Sequence, residues 1–150
     1  RIDEENMAIM DSLLLRGLPA GLSADSYNTI WIVIDHASLE KQEQYLPIVE
    51  QMSRDGLIGK DEYAILCDRI AMKQHRPQRY GSQVVQFGSI DAMKLYLWPV
   101  ETPAELDSLR ASVGLSPIAE YLNQVYKESG IEVKYEPTIT VEAINAMRNK

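Results

Sequence analysis

Two side chains of this chain could move protons, His36 and Asp68. A neutral imidazole accepts a proton near neutral pH, because the unperturbed pKa of histidine is about 6.5, so His36 could act as a general base or bind a ligand. Asp68 could orient His36 in that role. The residue pattern alone favours plainer roles: a core or helix-end histidine, and a carboxylate in a structural ion pair with an arginine. Both interpretations stay open at this point.

Amide groups that could bind a polar ligand occur close together in the chain. Gln78, Tyr80 and Gln83 lie within six positions, with Gly81 among them. A glutamine side chain both donates and accepts hydrogen bonds, so two of them at this spacing could bind a polar molecule. They could equally satisfy the backbone of a buried turn in which Gly81 adopts an unusual backbone angle. The sequence does not favour one of these over the other.

Four further polar or reactive side chains have simpler predicted roles. Arg69 or Arg110 could contact a carboxylate or phosphate, but a solvated arginine is the simpler expectation for each. His75 lies at a predicted helix C-terminus, where a cation suits the helix dipole, so we interpret it as structural. Cys67 lies on an apolar helix face and is expected to belong to the core rather than to act as a nucleophile.

Composition excludes several functional classes. The formal net charge of −7 and the sequence pI near 4.8 argue against nucleic-acid binding, which depends on clustered lysine and arginine. One cysteine and two histidines exclude an internal disulfide and a zinc-finger site. No apolar run approaches the roughly 18–20 residues of a membrane span. No phosphate-binding loop or dinucleotide fingerprint is present, so we expect no cofactor and no metal. Localisation stays open between the cytoplasm and export with a removed signal.

Apolar spacing and boundary residues predict a mainly helical chain. Helices are predicted at residues 2–16, 27–37, 39–54, 61–74, 102–114, 116–130 and, after Thr140, at the C-terminus. The run at 30–34 is expected to be buried on all sides. Its pattern fits a buried strand or a buried helix, and we favour the helix because it continues into another helical pattern. We expect Pro47 to kink or break its helix, and the T-P-A-E stretch at 102–105 to form a capping box. Asp68 projects between apolar sectors of its helix, so it should be buried with a hydrogen-bond donor nearby.

These elements define the predicted fold class. Residues 84–87 and 93–98 read as two strands of a hairpin, and 131–135 as a further short strand. We therefore predict a single domain over residues 1–150, α+β and mainly α-helical, with a small antiparallel β-hairpin. Residues 131–150 would form a C-terminal extension of one strand and one helix.

Several short motifs occur in a specific order along the chain. They are D-H-A-S at 35–38, Q at 42, Y-L-P at 45–47, D-R at 68–69, Q-R-Y-G-S-Q at 78–83, R at 110 and G-L-S-P-I-A-E-Y-L at 114–122. This order resembles a bacterial family of domains of unknown function, family 6624, whose pattern reads Q-H-A-D, D-R, Q-x-Y-G-T-Q and G-L-x-P-L-x-E-Y-L. The resemblance covers residues 1–126, including Asp3, Asn6 and 17–19.

The resemblance implies that eight polar residues form one recurring set, with no activity assigned to the family. The set is His36, Gln42, Asp68, Arg69, Gln78, Tyr80, Gln83 and Arg110. Two departures concern the first motif, where Asp35 replaces the family glutamine and Ser38 the family aspartate. If that aspartate helps catalysis in relatives, this chain is impaired or uses Asp35 instead.

Two hypotheses follow for this set. In the first, the residues converge on a site for a small polar or anionic ligand, with His36 and Asp68 as a catalytic pair and the other six as ligand-binding residues. Whether such a site would be enzymatic stays open. In the second, the chain is a non-catalytic interaction or structural module, and the same residues form a buried network that stabilises one packing.

Overall fold

The computed structural model of the chain describes the backbone of residues 2–150 and the side chains from Glu4 onward. The side chains of Ile2 and Asp3, which the sequence assigns to a helical stripe and to the family resemblance, lie outside the described residues. The chain divides into two compact units, Arg1–Leu66 and Cys67–Lys150. The prediction of a single domain over 1–150 stays a prediction.

The first unit is built from helices. α1 spans Ile2–Leu13, α2 spans Ala24–Asp35 and α3 spans Leu39–Arg54. Ser23 and Ser38 cap α2 and α3, each accepting a hydrogen bond from a backbone N–H in the first turn. Buried apolar side chains of these helices and their connections form its core, namely Met10, Leu14, Tyr27, Ile30, Ile34, Tyr45, Val49 and Met52.

A charged cluster ties α1 to α3. Asp11 accepts hydrogen bonds from Lys41 Nζ at 2.9 and 3.1 Å and from the Tyr45 hydroxyl. Lys41 and Tyr45 lie four positions apart, on the same side of α3. Burial and the bond to Asp11 raise the pKa of Tyr45 to about 12, whereas the bonds from Tyr45 and Lys41 lower the pKa of Asp11.

Two expectations for the first unit need correction. The run at 30–34 is not buried on all sides, because Ile30 and Ile34 share one helical face and are 2% and 0% exposed, whereas Ile32 on the opposite face is 41% exposed. α3 continues through Pro47, which excludes the predicted break. Proline removes only one backbone donor, and the burial of Tyr45 and Val49 around it favours the continuous helix.

The second unit combines a small sheet with helices. α4 spans Lys60–Lys73, and the part of it from Cys67 belongs to this unit. β1 (Val84–Phe87) pairs antiparallel with β2 (Lys94–Leu97), and β2 pairs parallel with β3 (Val133–Lys134). Three helices follow the hairpin in the chain, α5 (Leu106–Ser112), α6 (Ile118–Ser129) and α7 (Val141–Arg148). The mainly helical α+β class is confirmed, but the hairpin is part of a three-stranded sheet with one parallel pair.

Both faces of β2 are covered. Tyr96 and Trp98 pack in one apolar cluster with Val141 and Ile144 of α7. Leu95 and Leu97 point to the opposite face, because side chains alternate along a strand. They pack in a second cluster whose members come from the flanking segments, namely Val100, Leu106, Val133, Ile118, Leu122 and Val125. The C-terminal strand and helix therefore contribute to the core of this unit.

Of two predicted helix starts in the second unit, one is confirmed and the other is wrong. Thr140 caps α7, because its hydroxyl accepts a hydrogen bond from the Ala143 N–H at 3.1 Å. The predicted capping box at 102–105 is wrong: Thr102 has φ −132° and ψ 79° and makes no side-chain cap bond. A 3-10 turn, Pro103–Glu105, precedes α5 instead.

Across residues 2–150, none of the helices combines the length and apolar character that crossing a bilayer requires.

Candidate functional site

Asp68 on α4 is a densely bonded polar side chain of the second unit. It is 1% exposed, as the sequence predicts. Its Oδ1 accepts hydrogen bonds from the backbone N–H groups of Arg79 and Tyr80, both at 3.0 Å. Its Oδ2 accepts from the Ser82 N–H at 3.0 Å and the Ser82 hydroxyl at 2.7 Å. The expected donors are therefore backbone and hydroxyl groups of one loop, not the guanidinium of the predicted arginine ion pair.

The pKa of the Asp68 carboxyl is raised by burial, because removal from water penalises the charged form. The four hydrogen bonds from the loop oppose that rise. The carboxylate thus holds the loop at residues 79–83, and the loop in turn supplies the donors that make a buried carboxylate tolerable. We call this segment the 79–83 loop.

Gln78 binds the C-terminal end of the same segment and the residue that follows β2. Its Oε1 accepts from the Gln83 N–H at 2.8 Å, and its Nε2 donates to the carbonyls of Gln83 and Trp98 at 3.0 and 2.7 Å. The side chain is fully buried. Of the two roles predicted for this glutamine, its contacts match the satisfaction of a buried turn.

Gly81 lies at the bend of the 79–83 loop and has φ +66°. A Cβ at this position would lie 3.2 Å from Leu106 Cδ1 and 3.3 Å from Ile118 Cδ1. Both the backbone angle and the close packing therefore favour glycine, as the sequence predicts for the angle.

Arg110 on α5 and Tyr121 on α6 hold the carbonyl side of the loop. Arg110 Nη1 donates to the carbonyls of Tyr80 and Gly81 at 2.9 and 3.1 Å, and its Nε donates to the Ser116 carbonyl. The prediction that Arg110 is solvated is wrong, because its side chain is 1% exposed. Burial lowers the pKa of its guanidinium. The burial of Arg110 depends on the tertiary structure, because three carbonyl oxygens from separate positions come together where α5 meets the loop.

Tyr121 is a member of this network that the sequence reasoning missed. Its hydroxyl donates to the Ser82 carbonyl at 2.9 Å, and the Arg110 guanidinium lies 5.0 Å from its ring centroid. Burial raises the pKa of its hydroxyl. Tyr121 occurs in the E-Y-L motif, which could have indicated it, but its spacing from the neighbouring apolar residues predicts a place in an apolar helix stripe.

Three predicted site residues of this unit remain: Tyr80 and Gln83 in the loop itself, and Arg69 on α4. Gln83 is 6% exposed, and its Nε2 donates to the Ser82 hydroxyl at 3.2 Å. Tyr80 is half-buried, and the exposed Arg79 guanidinium lies 5.7 Å from its ring centroid. Burial raises the pKa of the Tyr80 hydroxyl. Arg69 is half-buried rather than fully solvated.

His36 and Gln42 belong to the first unit. Gln42 is fully buried, and its Nε2 donates to the Asp35 carbonyl at 2.8 Å, which satisfies the last turn of α2. His36 follows α2 and is exposed. Its Nδ1 lies 2.9 Å from the Ile32 carbonyl oxygen. A carbonyl can only accept, so Nδ1 carries the proton, and in the neutral ring Nε2 is then the acceptor.

Two adjoining surface depressions meet at His36. The first has a volume of about 300 Å³ and is lined by Asn6, Met7, Ile32, Val33, His36 and Ala37. The second has a volume of about 420 Å³, shares Met7, His36 and Ala37 with the first, and adds Glu4, Ser38 and Lys41. We call the two together the His36 groove.

The predicted set is thus divided between the two units. Asp68, Gln78, Tyr80, Gln83 and Arg110 meet at the 79–83 loop of the second unit, to which Arg69 on α4 also belongs. In the first unit, His36 follows α2 and Gln42 lies on α3. A single site that unites both groups stays a prediction. Among the residues from Glu4 onward, no three histidine, cysteine, aspartate or glutamate side chains are grouped as metal ligands.

Comparison with known proteins gives one match. The family model described as a family of unknown function, DUF6624, matches residues 19–134. The match begins after α1 and ends with β3, so it starts and ends later than the resemblance at 1–126. No curated protein and no solved structure matches the chain. Because the match covers well over half of its residues, the chain belongs to the DUF6624 family of unknown function.

Proposed function

We propose that this chain is a binding domain for a small polar molecule, with His36 as the residue that contacts the ligand. The observation that carries the proposal is the position of His36. Its ring lines both depressions of the His36 groove, and its Nδ1–H is held by the Ile32 carbonyl at 2.9 Å. An oriented ring with one nitrogen available for a ligand is the usual arrangement of a binding histidine.

In this proposal the residues around Asp68 have a positioning role. A general base needs a lone pair directed at its substrate. The Asp68 oxygens already accept four hydrogen bonds from the 79–83 loop. Arg110 likewise donates to three backbone carbonyls through Nε and Nη1, and its side chain is buried away from an anionic ligand in solvent. Their contacts therefore support a scaffold rather than the catalytic pair of His36 and Asp68.

A thermal-shift screen tests the role of His36. Wild type, His36→Gln and His75→Asn would be compared against amino acids, monosaccharides, nucleosides, small amines and small carboxylates. His75 is the matched control, because it is the other histidine and lies outside the groove. We expect at least one compound to raise the melting temperature of wild type and of His75→Asn but not of His36→Gln. A compound that stabilises all three proteins equally would refute the role of His36.

A second candidate is a non-catalytic interaction or structural module. The specific observation in its favour is the density of the loop network, in which Asp68, Gln78, Arg110 and Tyr121 together bind the backbone of residues 79–83. Such a network stabilises one packing without any ligand. This candidate takes precedence if the screen yields no ligand while loss of Asp68 destabilises the fold.

A further inference from the structure

We infer that the ligand of the His36 groove is a small organic ammonium ion with a short apolar body, an inference that rests on the proposed binding role of His36. It names a ligand class, and it selects against the anionic ligand that the sequence left open. Three features of the groove support it: an apolar wall, two hydrogen-bond acceptors, and a local excess of negative charge.

The wall of the groove is mainly apolar. Met7 of α1 and three residues on or next to α2 provide it, namely Ile32, Val33 and Ala37. Ile32 is 41% exposed, so a large apolar side chain is available to a ligand at this surface. Covering such a surface with an alkyl or similar group is favourable, because it removes apolar area from water. A ligand with an apolar body therefore fits the groove better than a uniformly polar one.

The polar groups of the groove favour a donor on the ligand. The Nδ1–H of His36 is bonded to the Ile32 carbonyl, so the Nε2 of the neutral ring offers a lone pair. Glu4 provides a carboxylate at the second depression, and an ionised carboxylate only accepts hydrogen bonds. An ammonium head group carries several N–H donors for such acceptors, whereas an ionised carboxylate carries none.

The charges at the groove disfavour an anion. Lys41 is the cation among the described lining residues, but its Nζ already binds Asp11 at 2.9 and 3.1 Å and Gln44 at 3.2 Å. Glu4, Asp11 and Lys41 together carry one net negative charge. The net charge of −7 for the whole chain has the same sign. An anion would have to approach this surface against repulsion.

The inference can be tested with three probes that share a six-carbon chain. Hexylammonium, 1-hexanol and hexanoate would be titrated at pH 8, where the first is a cation and the last an anion. Binding would be followed by NMR through the Met7 methyl and His36 ring signals. We expect hexylammonium to bind tightest and hexanoate weakest, with the Met7 and His36 signals shifting together.

Glu4→Gln isolates the charge contribution, and Glu5→Gln is its matched control. Both glutamates are exposed on α1, but only Glu4 lines the groove. We expect Glu4→Gln to weaken hexylammonium binding roughly twofold to fivefold, the range for an exposed ion pair, and to leave hexanol unchanged. Glu5→Gln should leave all three affinities unchanged. Far-UV circular dichroism would verify that both variants fold.

Three results would each overturn the ammonium assignment. The first is hexanoate binding as tightly as hexylammonium. The second is an equal effect of Glu4→Gln and Glu5→Gln on hexylammonium binding, and the third is no binding of hexylammonium at all. If another probe binds and its binding is lost in His36→Gln, the proposed function survives although this ligand class does not. Failure of the whole compound screen, by contrast, would refute the proposed function itself.

Discussion

Replacing Asp68 by asparagine tests whether the 79–83 loop depends on a buried carboxylate. The substitution conserves size and removes the charge and one of the two acceptor oxygens. In the native protein Oδ1 accepts from the Arg79 and Tyr80 N–H groups, and Oδ2 accepts from the Ser82 N–H and hydroxyl. The NH₂ group of an asparagine at this position must therefore face hydrogen-bond donors, either Arg79 and Tyr80 on one side or Ser82 on the other.

The expected loss in the free energy of unfolding follows from counting the donors that lose an acceptor. The better placement puts the NH₂ group on the Ser82 side, because the Ser82 hydroxyl can rotate and accept from it. The Ser82 N–H then has no acceptor, which costs about 1–3 kcal/mol for a buried group. The two bonds to the remaining oxygen lose their charge assistance, which costs roughly 1 kcal/mol more. We expect the free energy of unfolding to fall by about 2–4 kcal/mol.

Urea unfolding monitored by far-UV circular dichroism measures this loss. Asp91→Asn is the matched control, since Asp91 is an exposed aspartate of the same unit. We expect a lower urea midpoint with an unchanged slope for Asp68→Asn, and no shift for Asp91→Asn. Hydrogen exchange should accelerate more at the amides of Tyr80 and Ser82 than at those of β1 and β2, because the substitution acts on the loop.

A free energy of unfolding for Asp68→Asn that lies within about 0.5 kcal/mol of the value for Asp91→Asn would refute this reasoning, because substitutions without a structural role change stability by no more than that. It would mean that the loop does not depend on the carboxylate. Such a result would also restore Asp68 as a candidate for chemistry, since a residue that costs nothing to replace is not held there by stability.

Three further predictions concern other residues. Arg110→Lys should lower the free energy of unfolding by about 2–3 kcal/mol in urea, because one ammonium cannot reproduce the bonds to the loop carbonyls; an unchanged midpoint would contradict this. His75 has φ +56°, so His75→Gly should raise the free energy of unfolding in urea by about 0.5–1 kcal/mol, because glycine adopts this angle without strain. An unchanged or lower value would contradict this and would mean that the 3.3 Å contact of His75 with Asn145 outweighs the strain. The pKa of Tyr45 is raised from 10.0 to about 12, so its contribution to stability is present below pH 10 and is lost as the pH rises through 12. Tyr45→Phe, compared with wild type at pH 9 and 12, should remove this part of the pH dependence, and equal pH profiles would contradict it.

Much of the fold could be predicted from local signals. Ser23 and Thr140 cap helices in the way that such local signals predict, because a cap depends on a side chain and a backbone N–H three residues away. The burial of Asp68 followed from the helical rotation of 100° per residue. The failed capping box at 102–105 used the same kind of signal, but the backbone at Thr102 takes a different course into the 3-10 turn.

The candidate site was predictable only in part. Gln78, Gln83 and Arg110 were identified as polar residues needing a role, yet their roles could not be chosen from the sequence. Arg110 illustrates the reason: it was expected to be solvated, and it is buried against a loop 30 positions earlier in the chain. Tyr121 was assigned to an apolar stripe although its hydroxyl binds the Ser82 carbonyl.

The sequence by itself determined the helices, the hairpin strands, the bend at Gly81 and the need of Asp68 for donors. These features depend on spacing, backbone angle and desolvation within a few residues. Only the tertiary structure decided which groups satisfy Asp68, that Arg110 is buried against backbone carbonyls, and that His36 opens onto a groove. A hydrogen bond requires its two atoms to lie about 3 Å apart, and distances between segments far apart in the chain follow from packing rather than from residue type.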